Sequence, residues 1–505
     1  MAYADDVVLL VPGLFPNILS ERMELGLCAL SKWAVSCGLR IHPLKTELVL
    51  FRRGYTTPTF RLPSLNGLIL GLSTRAKLLG VILDQRLTWR DNLEERVKKA
   101  QVAFSVCQKA IGKTWGLAPK QVMWILNSVV RPVLMYAVVV WWVALIAESN
   151  CNMLDKLIRK VCIAVTGALR TTSKESLFSI LQIPPSKLYA LEAAARTAIR
   201  LISTGRWRSR SYGHSKILNF LGCSNFGELD ICTTYYNFFK DFKVITPSRR
   251  DWSEENLTNT FDLAVFTDGS KREAGCGAGF YVQNTNFIKC YRLSNDCSIF
   301  QCEIFAIRMA AKTLIDICSD AKSIVICIDS QAAILALKSF EVNSIMVKEC
   351  LIELNKLGTH CDVTLMWVPG HCNIVGNEIA DYVANCGADK HPSWMEKTPI
   401  PLSSVRMKVR RIIELRQQRF YRYSEGVFKS VLGTHLKDIS RFLLNLKKSN
   451  LRKVIFAITG FWPLGRHAHR IGIQGCLDCP GCGLPAMETD CLHFWCLCPG
   501  LIDFV

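Results

Sequence analysis

Leu263-Ala-Val-Phe-Thr-Asp-Gly-Ser270 sets an apolar, β-rich run directly before an Asp-Gly pair. The run reads as a buried strand over Leu263 to Thr267, and Asp268 then sits where that strand ends and turns. Working outward, Gly277 to Val282, Phe287 to Arg292, Ser323 to Ile328 and Val363 to Trp367 repeat the strand pattern. Between them lie segments with helical spacing, near 299 to 318, 330 to 338 and 344 to 357. Strands alternating with helices in this way predict an α/β domain over residues 261–388.

Four acids stand at the ends or starts of these predicted elements. Glu303 lies beside the apolar positions Phe300, Ile304, Ile307, Ala311 and Leu314, which recur at helical spacing. Asp329 ends the strand Ile324 to Ile328, and Ser330 is placed to cap the next helix. Asp381 follows His371 by ten residues. With Asp268 they predict one acidic pocket at the sheet edge. Hard carboxylate oxygens without neighbouring thiolates suit Mg²⁺. Two such ions roughly 4 Å apart activate a water and stabilise the leaving oxygen of a phosphodiester. His371, in the loop Val368-Pro-Gly-His-Cys-Asn373, is the candidate for proton transfer or product release. Singly, each residue has a plainer reading: Asp before Gly forms turns, Asp-Ser caps helices, Glu303 is a solvated helix residue and His371 a loop histidine. Their joint order is what points to chemistry.

Thr267-Asp268-Gly-Ser270, Glu303, Ile328-Asp329-Ser330, Trp367-Val-Pro-Gly-His371 and Gly376-Asn-Glu-Ile-Ala-Asp381 together resemble the type 1 RNase H domain. That resemblance implies an α/β fold, a five-stranded mixed sheet with flanking helices. It also implies metal-dependent hydrolysis of the RNA strand of an RNA/DNA hybrid, leaving 5′-phosphate and 3′-hydroxyl ends. Asp268, Glu303, Asp329 and Asp381 would hold two Mg²⁺ ions, with Mn²⁺ as the alternative, and His371 would assist.

The flanks extend the resemblance. Residues 1–90 read as strands and short helices, with Tyr3-Ala-Asp5-Asp6 as a hairpin tip presenting two acids. In order with Ser36 to Phe51, Leu79-Gly-Val-Ile-Leu-Asp84 and Leu87-Thr-Trp89, this resembles the end of a reverse transcriptase palm of the non-LTR retrotransposon type. Residues 91–205, helical in pattern, then resemble thumb and connection. A palm needs a further metal-binding Asp from an earlier strand. The chain begins two residues before the motif, so Asp5 and Asp6 read as polymerase relics of a truncated palm and no polymerase activity is expected. Residues 206–260 read as a linker, 389–470 as a basic helical segment and 471–505 as a Cys-rich terminus. There Cys479, Cys482, His493 and Cys498 have spacing that closes a tetrahedral Zn²⁺ site, with Cys476, Cys491 and Cys496 as alternative ligands or the whole set as free thiols. The order also resembles the terminal zinc knuckle of arthropod-type non-LTR polyproteins, which implies nucleic-acid contact.

Composition sets the outer limits. Lys and Arg total 62 against 42 acids, a formal charge of +20, in a chain half hydrophobic. That is too apolar for a disordered basic tail and fits a folded protein that meets a polyanion. Arg206 to Arg210, Lys408 to Arg411 and Arg416 to Arg422 are candidate phosphate-tracking stretches, or simply solvated faces. The 23 cysteines are odd in number and scattered, which predicts a reducing intracellular compartment, cytoplasm or nucleus. No signal peptide is read. Val133 to Ala147 is uncharged but short for a span, so a buried core helix is expected and no membrane partner. Two other functions are weighed: a catalytically silent nucleic-acid-binding retrotransposon remnant, disfavoured by the intact acids, and a transposase or integrase, disfavoured because the last acid is Asp381 after the His371 loop.

Overall fold

The structure, a computed structural model, describes residues 1–3, 6–56, 58–207, 212–223, 227–254, 257–317, 321–423, 436–463, 465–473, 478–490 and 493–500. The chain forms two compact units, one of residues 195–412 and the other joining 1–194 to 413–505.

The unit 195–412 is built on a sheet of seven strands: β1 (Phe242–Ile245), β2 (Leu263–Lys271), β3 (Cys276–Val282), β4 (Phe287–Leu293), β5 (Ser323–Ile328), β6 (Asp362–Trp367) and β7 (Met395–Glu396). Their spatial order is β7-β4-β3-β2-β5-β6-β1. The pairs β4-β3 and β3-β2 are antiparallel, and the other four are parallel. Four helices pack on this sheet: α1 (Ile299–Ile317), α2 (Gln331–Lys338), α3 (Ile345–Gly358) and α4 (Val375–Asp389).

Alternation along the strands explains the layering. On β5, Ile324, Ile326 and Ile328 enter one apolar cluster, while Val325 and Cys327 enter the cluster on the opposite face. Leu263 and Val265 of β2 join the first cluster, and Ala264 and Phe266 join the second. Helices α1, α2 and α3 supply Ile304, Ile307, Leu314, Ile334, Leu337, Leu351 and Leu354 to the first face. Helix α4 lies on the other, directly against β3. A Cβ at Gly277 would stand 2.2 Å from both Ala384 O and Ala388 N, so only glycine lets strand and helix approach this closely.

Three expectations need correction here. Residues 261–388 supply the five strands expected, but the sheet is extended to seven: β1, within the stretch read as a linker, adds one edge, and β7, within the stretch read as helical, adds the other. Strand β2 does not stop at Thr267 but runs to Lys271, because Gly269, Ser270 and Lys271 keep pairing with Ala278, Gly277 and Cys276. Helix α4 was not anticipated as an element.

In the other unit, the first ninety residues contain one long helix, Pro16–Ser36, and short hairpins, among them Arg75–Leu78 with Val81–Asp84. Leu48 makes only an isolated bridge to Leu72. Helices then dominate, including Arg90–Gln108, Glu148–Thr166 and Lys174–Ile180, and Ser186–Ser203 leads into the other unit. The Tyr136 hydroxyl donates to Leu79 O at 2.9 Å, tying this helical region to the hairpin turn. Val133 to Ala147 is not one helix: Ala137 adopts φ 55° and separates Arg131–Leu134 from Val138–Trp141. Leu134, Trp141, Trp142 and Leu145 are nonetheless buried. No single helix among the described residues is long and apolar enough to cross a membrane; only the pair Pro119–Leu134 and Val138–Ile146, bent by 58°, passes on length and composition. The segment read as one basic helical stretch, 389–470, is divided between the two units. Helix Lys448–Thr459 packs on Glu148–Thr166, and Thr171 Oγ1 lies 3.1 Å from His467 Nε2.

Candidate active site

Strand register brings the first two acids together. Thr267 of β2 pairs with Ile328 of β5 in a parallel ladder, so the next residues, Asp268 and Asp329, fall side by side at the same end of the sheet. Their surroundings differ. Asp268 stays within β2, opposite Gly279, and is buried, whereas Asp329 leaves β5 and is half-buried. Ser330 then caps α2, its Oγ accepting from Ala333 N at 3.3 Å.

Glu303 reaches the pair from the first turns of α1. A capping box opens that helix: Gln301 N donates to Ser298 Oγ at 3.3 Å, and Ser298 N donates to Gln301 Oε1 at 3.1 Å. Close approach is again set by a glycine. A Cβ at Gly269 would lie 2.5 Å from Glu303 N, so the Asp-Gly pair serves helix contact and not a turn.

Ligand oxygens of Asp268, Glu303 and Asp329 all lie within 4.8 Å of one another. Burial raises the Asp268 carboxyl to about 8, reinforced by the Asp329 charge and by a hydrogen bond to Asp381. Burial also holds Glu303 well above the usual carboxylate range, with the Asp268 and Asp329 charges adding to it. Asp329 is raised by burial, partly offset by the His371 imidazole and by a hydrogen bond from Asn377. Glu303 Oε2 is buried without a hydrogen-bond partner. A crowd of carboxylates in this state is relieved by cations, and its hard oxygen donors match Mg²⁺ or Mn²⁺.

Asp381 stands on α4, and its Oδ1 accepts from Asn385 Nδ2 at 3.2 Å, while Ser270 Oγ donates to Asn385 Oδ1 at 2.5 Å. Asn377, Asp381 and Asn385 recur every four residues, one face of the helix directed at the acids. Sequence reading singled out only Asp381; the i, i+4 spacing was the available signal for the two asparagines.

His371 is exposed, in the loop between β6 and α4, with φ 55°, and Asn373 has φ 58°. Two non-glycine residues in the left-handed region within three positions mark a strained loop, a feature concentrated at functional sites. The loop crosses close to Asp329: a Cβ at Gly370 would lie 3.0 Å from Asp329 Oδ2. Trp367 Nε1 donates to Asp329 O at 3.1 Å, and Trp252 Nε1, from the segment before β2, donates to Trp367 O at 2.9 Å.

Residues 261–389 match the RNase H family. This stretch is an RNase H domain. The chain is also similar to the "Probable RNA-directed DNA polymerase from transposon BS" of Drosophila melanogaster, 27% identical over 166 residues, or 32% of this chain and 18% of that protein. A second relative is the retrovirus-related Pol polyprotein from type-1 retrotransposable element R1 of Nasonia vitripennis, 22% identical over 198 residues, or 37% of this chain and 57% of that protein. The matches thus span less than two thirds of either relative. They make the chain an RNase H-containing relative of retrotransposon polyproteins.

Outside the RNase H domain, the remaining expected residues divide sharply. Asp6 lies exposed on the two-residue strand Asp6–Val7, paired with Tyr3, and Asp5 lies outside the described residues. Of the basic stretch Arg206 to Arg210, residues 208–210 also lie outside them. Cys479, Cys482, His493 and Cys498, by contrast, converge, with all four ligand atoms within 4.8 Å. Cys479 Sγ is 3.5 Å from Cys498 Sγ, and Cys482 Sγ is 3.4 Å from His493 Nε2. Burial alone would raise Cys479, yet hydrogen bonds from His493 and from the Gly481 and Cys482 amides lower it to about 6. Three sulfurs and one imidazole at this spacing are donor types compatible with Zn²⁺. Cys476 and Cys491 lie outside the described residues, as does the Cys496 side chain.

Proposed function

We propose that this chain cleaves the RNA strand of RNA/DNA hybrids by type 1 RNase H chemistry, within a retrotransposon polyprotein. The observation that carries the reading is the meeting of Asp268, Glu303 and Asp329 within 4.8 Å, two of them at the shared end of neighbouring parallel strands. Asp268, Glu303, Asp329 and Asp381 are the ligands for two divalent ions. When bound, such ions supply an activated water and charge neutralisation at the leaving oxygen.

The residues divide the remaining work. Water attacks the phosphorus as the P–O3′ bond breaks, so one proton leaves the water and one joins the 3′ oxygen. His371, beside Asp329 and exposed on its strained loop, takes part in that transfer or in releasing the product. The chain Ser270–Asn385–Asp381 orients the fourth carboxylate, and the Trp252–Trp367 pair fixes the Asp329 backbone. Selectivity for hybrids requires recognition of 2′-hydroxyls on one strand only.

Cys479, Cys482, His493 and Cys498 are the ligands of a Zn²⁺ ion that stabilises the terminal segment, a nucleic-acid-binding knuckle. The helices Arg90–Gln108 to Ser186–Ser203 resemble a polymerase thumb, and Asp5 and Asp6 resemble the paired acids of a palm.

The test is incubation with a labelled RNA/DNA hybrid, with Mg²⁺ present or chelated, beside Asp329→Asn and with double-stranded RNA as control. Hybrid-only cleavage that needs both the ion and Asp329 is expected. Binding without cleavage would replace this reading with that of a silent nucleic-acid-binding remnant.

A further inference from the structure

A ladder of exposed aromatic rings lies within the unit 195–412, assembled from two segments far apart in sequence. Tyr236 and Phe238 precede the RNase H domain, and Phe340 lies in the connection between α2 and α3. Their backbones are held together by strand pairing: Tyr236 opposes Glu341, Tyr235 opposes Val342, and Asn237 N donates to Phe340 O at 2.9 Å. Ring centroids of Tyr236 and Phe238 are 6.0 Å apart with planes 5° from parallel, and those of Phe238 and Phe340 are 6.1 Å apart with planes at 26°. All three rings are 59–66% exposed. A core would hide such surface, whereas here three stacked, nearly parallel rings stay largely exposed.

The ladder is flanked by cations. Lys240 Nζ stands 5.2 Å from the Phe340 ring centroid and donates to the carbonyls of Lys338 and Ser339. Lys348 Nζ stands 5.2 Å from the Tyr235 ring, and Lys338 is exposed. Within residues 235–243 and 338–342, three lysines, Lys240, Lys243 and Lys338, stand against two acids, Asp241 and Glu341. Helix α2 links the ladder to the acids. It begins right after Asp329-Ser330 and has eight residues, a rise of about 12 Å at roughly 1.5 Å per residue. At about 3.4 Å per nucleotide along one strand, that is three to four nucleotides from the cleavage centre.

We propose that Tyr236, Phe238 and Phe340 form a stacking platform for an unpaired stretch of polynucleotide adjoining the hybrid in the active site. Near-parallel exposed rings match the free faces of unstacked bases, and the lysines match the phosphates between them. Paired bases would offer the rings no free face except at a duplex end. The inference rests on the nuclease reading for the position of the ligand, while its binding test does not depend on turnover.

The experiment measures binding by fluorescence anisotropy, using full-length Asp329→Asn chain without added divalent ion. Probes are a blunt RNA/DNA hybrid and the same hybrid carrying a single-stranded tail, as DNA or as RNA, on either strand. The tail is expected to tighten binding about tenfold, and Phe238→Ala with Phe340→Ala to abolish that gain, since base–ring stacking is worth on the order of that factor per base. Phe340→Trp should keep the preference, and Tyr55→Ala, an exposed ring in the other unit, should not change it. The DNA and RNA tails show which strand the platform takes. Equal binding of blunt and tailed hybrids, or a preference that survives the double substitution, overturns the proposal. So does a chain that dimerises through these rings with no tail preference. Cleavage of the blunt hybrid by the unsubstituted chain is scored separately, so failure of the nuclease reading is distinguished from failure of this one.

Discussion

Replacing Asp329 with Asn should stabilise the metal-free RNase H unit, and the gain should depend steeply on pH. The acid oxygens lie within 4.8 Å of one another. Two unit charges at that separation, with an effective dielectric of about 20, repel by roughly 3.5 kcal/mol. Carboxyls raised as Asp268 and Glu303 are raised contribute stability that is fully present below their ordinary value near 4 and is lost as pH rises through the raised one. For Asp268 that window closes above about 8. Near pH 9 the cluster is therefore most repulsive, and Asp329→Asn removes one charge from it. Asp329 is only half-buried, so about 2–3 kcal/mol is a fair expectation, or roughly 5–10 °C in melting temperature for a unit of this size. Near pH 5 the neighbours hold their protons and the gain should shrink to about 1–2 °C. Scanning calorimetry of the full chain without divalent ion, at both pH values, reads this directly. Adding Mg²⁺ near pH 9 should reverse the order, stabilising the unsubstituted chain more than the variant. A variant no more stable than the parent near pH 9, or equally stabilised at both pH values, would refute the electrostatic account.

Other substitutions probe geometry. Gly269→Ala forces a Cβ to 2.5 Å from Glu303 N, and should cost about 1–3 kcal/mol by calorimetry while also lowering hybrid cleavage, because the helix carrying Glu303 must shift. Asn385→Ala leaves Asp381 Oδ1 without its donor at 3.2 Å; cleavage should fall about tenfold and recover partly at higher Mg²⁺, whereas a purely structural role would not respond to the ion. Cys482→Ser should abolish the d–d absorption of a Co²⁺-loaded chain, and Cys361→Ser should leave it unchanged. Trp252→Phe removes the hydrogen bond to Trp367 O at 2.9 Å and should lower stability by about 0.5–1.5 kcal/mol.

Asp268 and Asp329 were legible as neighbours because local pattern and long-range register agree there, whereas Asp381 stands on a helix that was not anticipated. An apolar run ending at Ile328 predicts an exposed strand end, and parallel pairing of Ile328 with Thr267 then places Asp329 beside Asp268. What was illegible depended on partners alone. Phe242-Lys-Val-Ile245 has no turn signal or clean alternation to mark it as a strand; it becomes one because Val363 to Met366 offers it a ladder. Met395–Glu396 is too short for any period to register. At Asp268 the Asp-Gly pair carried the wrong meaning, since the glycine was required by α1 and not by a turn. Val133 to Ala147 had the composition of one helix, but the left-handed Ala137 broke it within a buried setting. The Cys479 and Cys482 spacing was legible for a simpler reason: a donor set closing over a short segment leaves its signature in sequence distance.

The strands β1 and β7 also bear on how the RNase H domain behaves when separated from its neighbours. Cutting the chain at 261 and 389 would strip both from the sheet and bare the backbone of β6, whose Val363 and Leu365 are apolar, along one open edge. An uncovered edge of this kind recruits strands from other copies. The flanking segments thus act as intramolecular protectors against self-association, and a fragment trimmed to the family boundaries should aggregate where the longer chain does not.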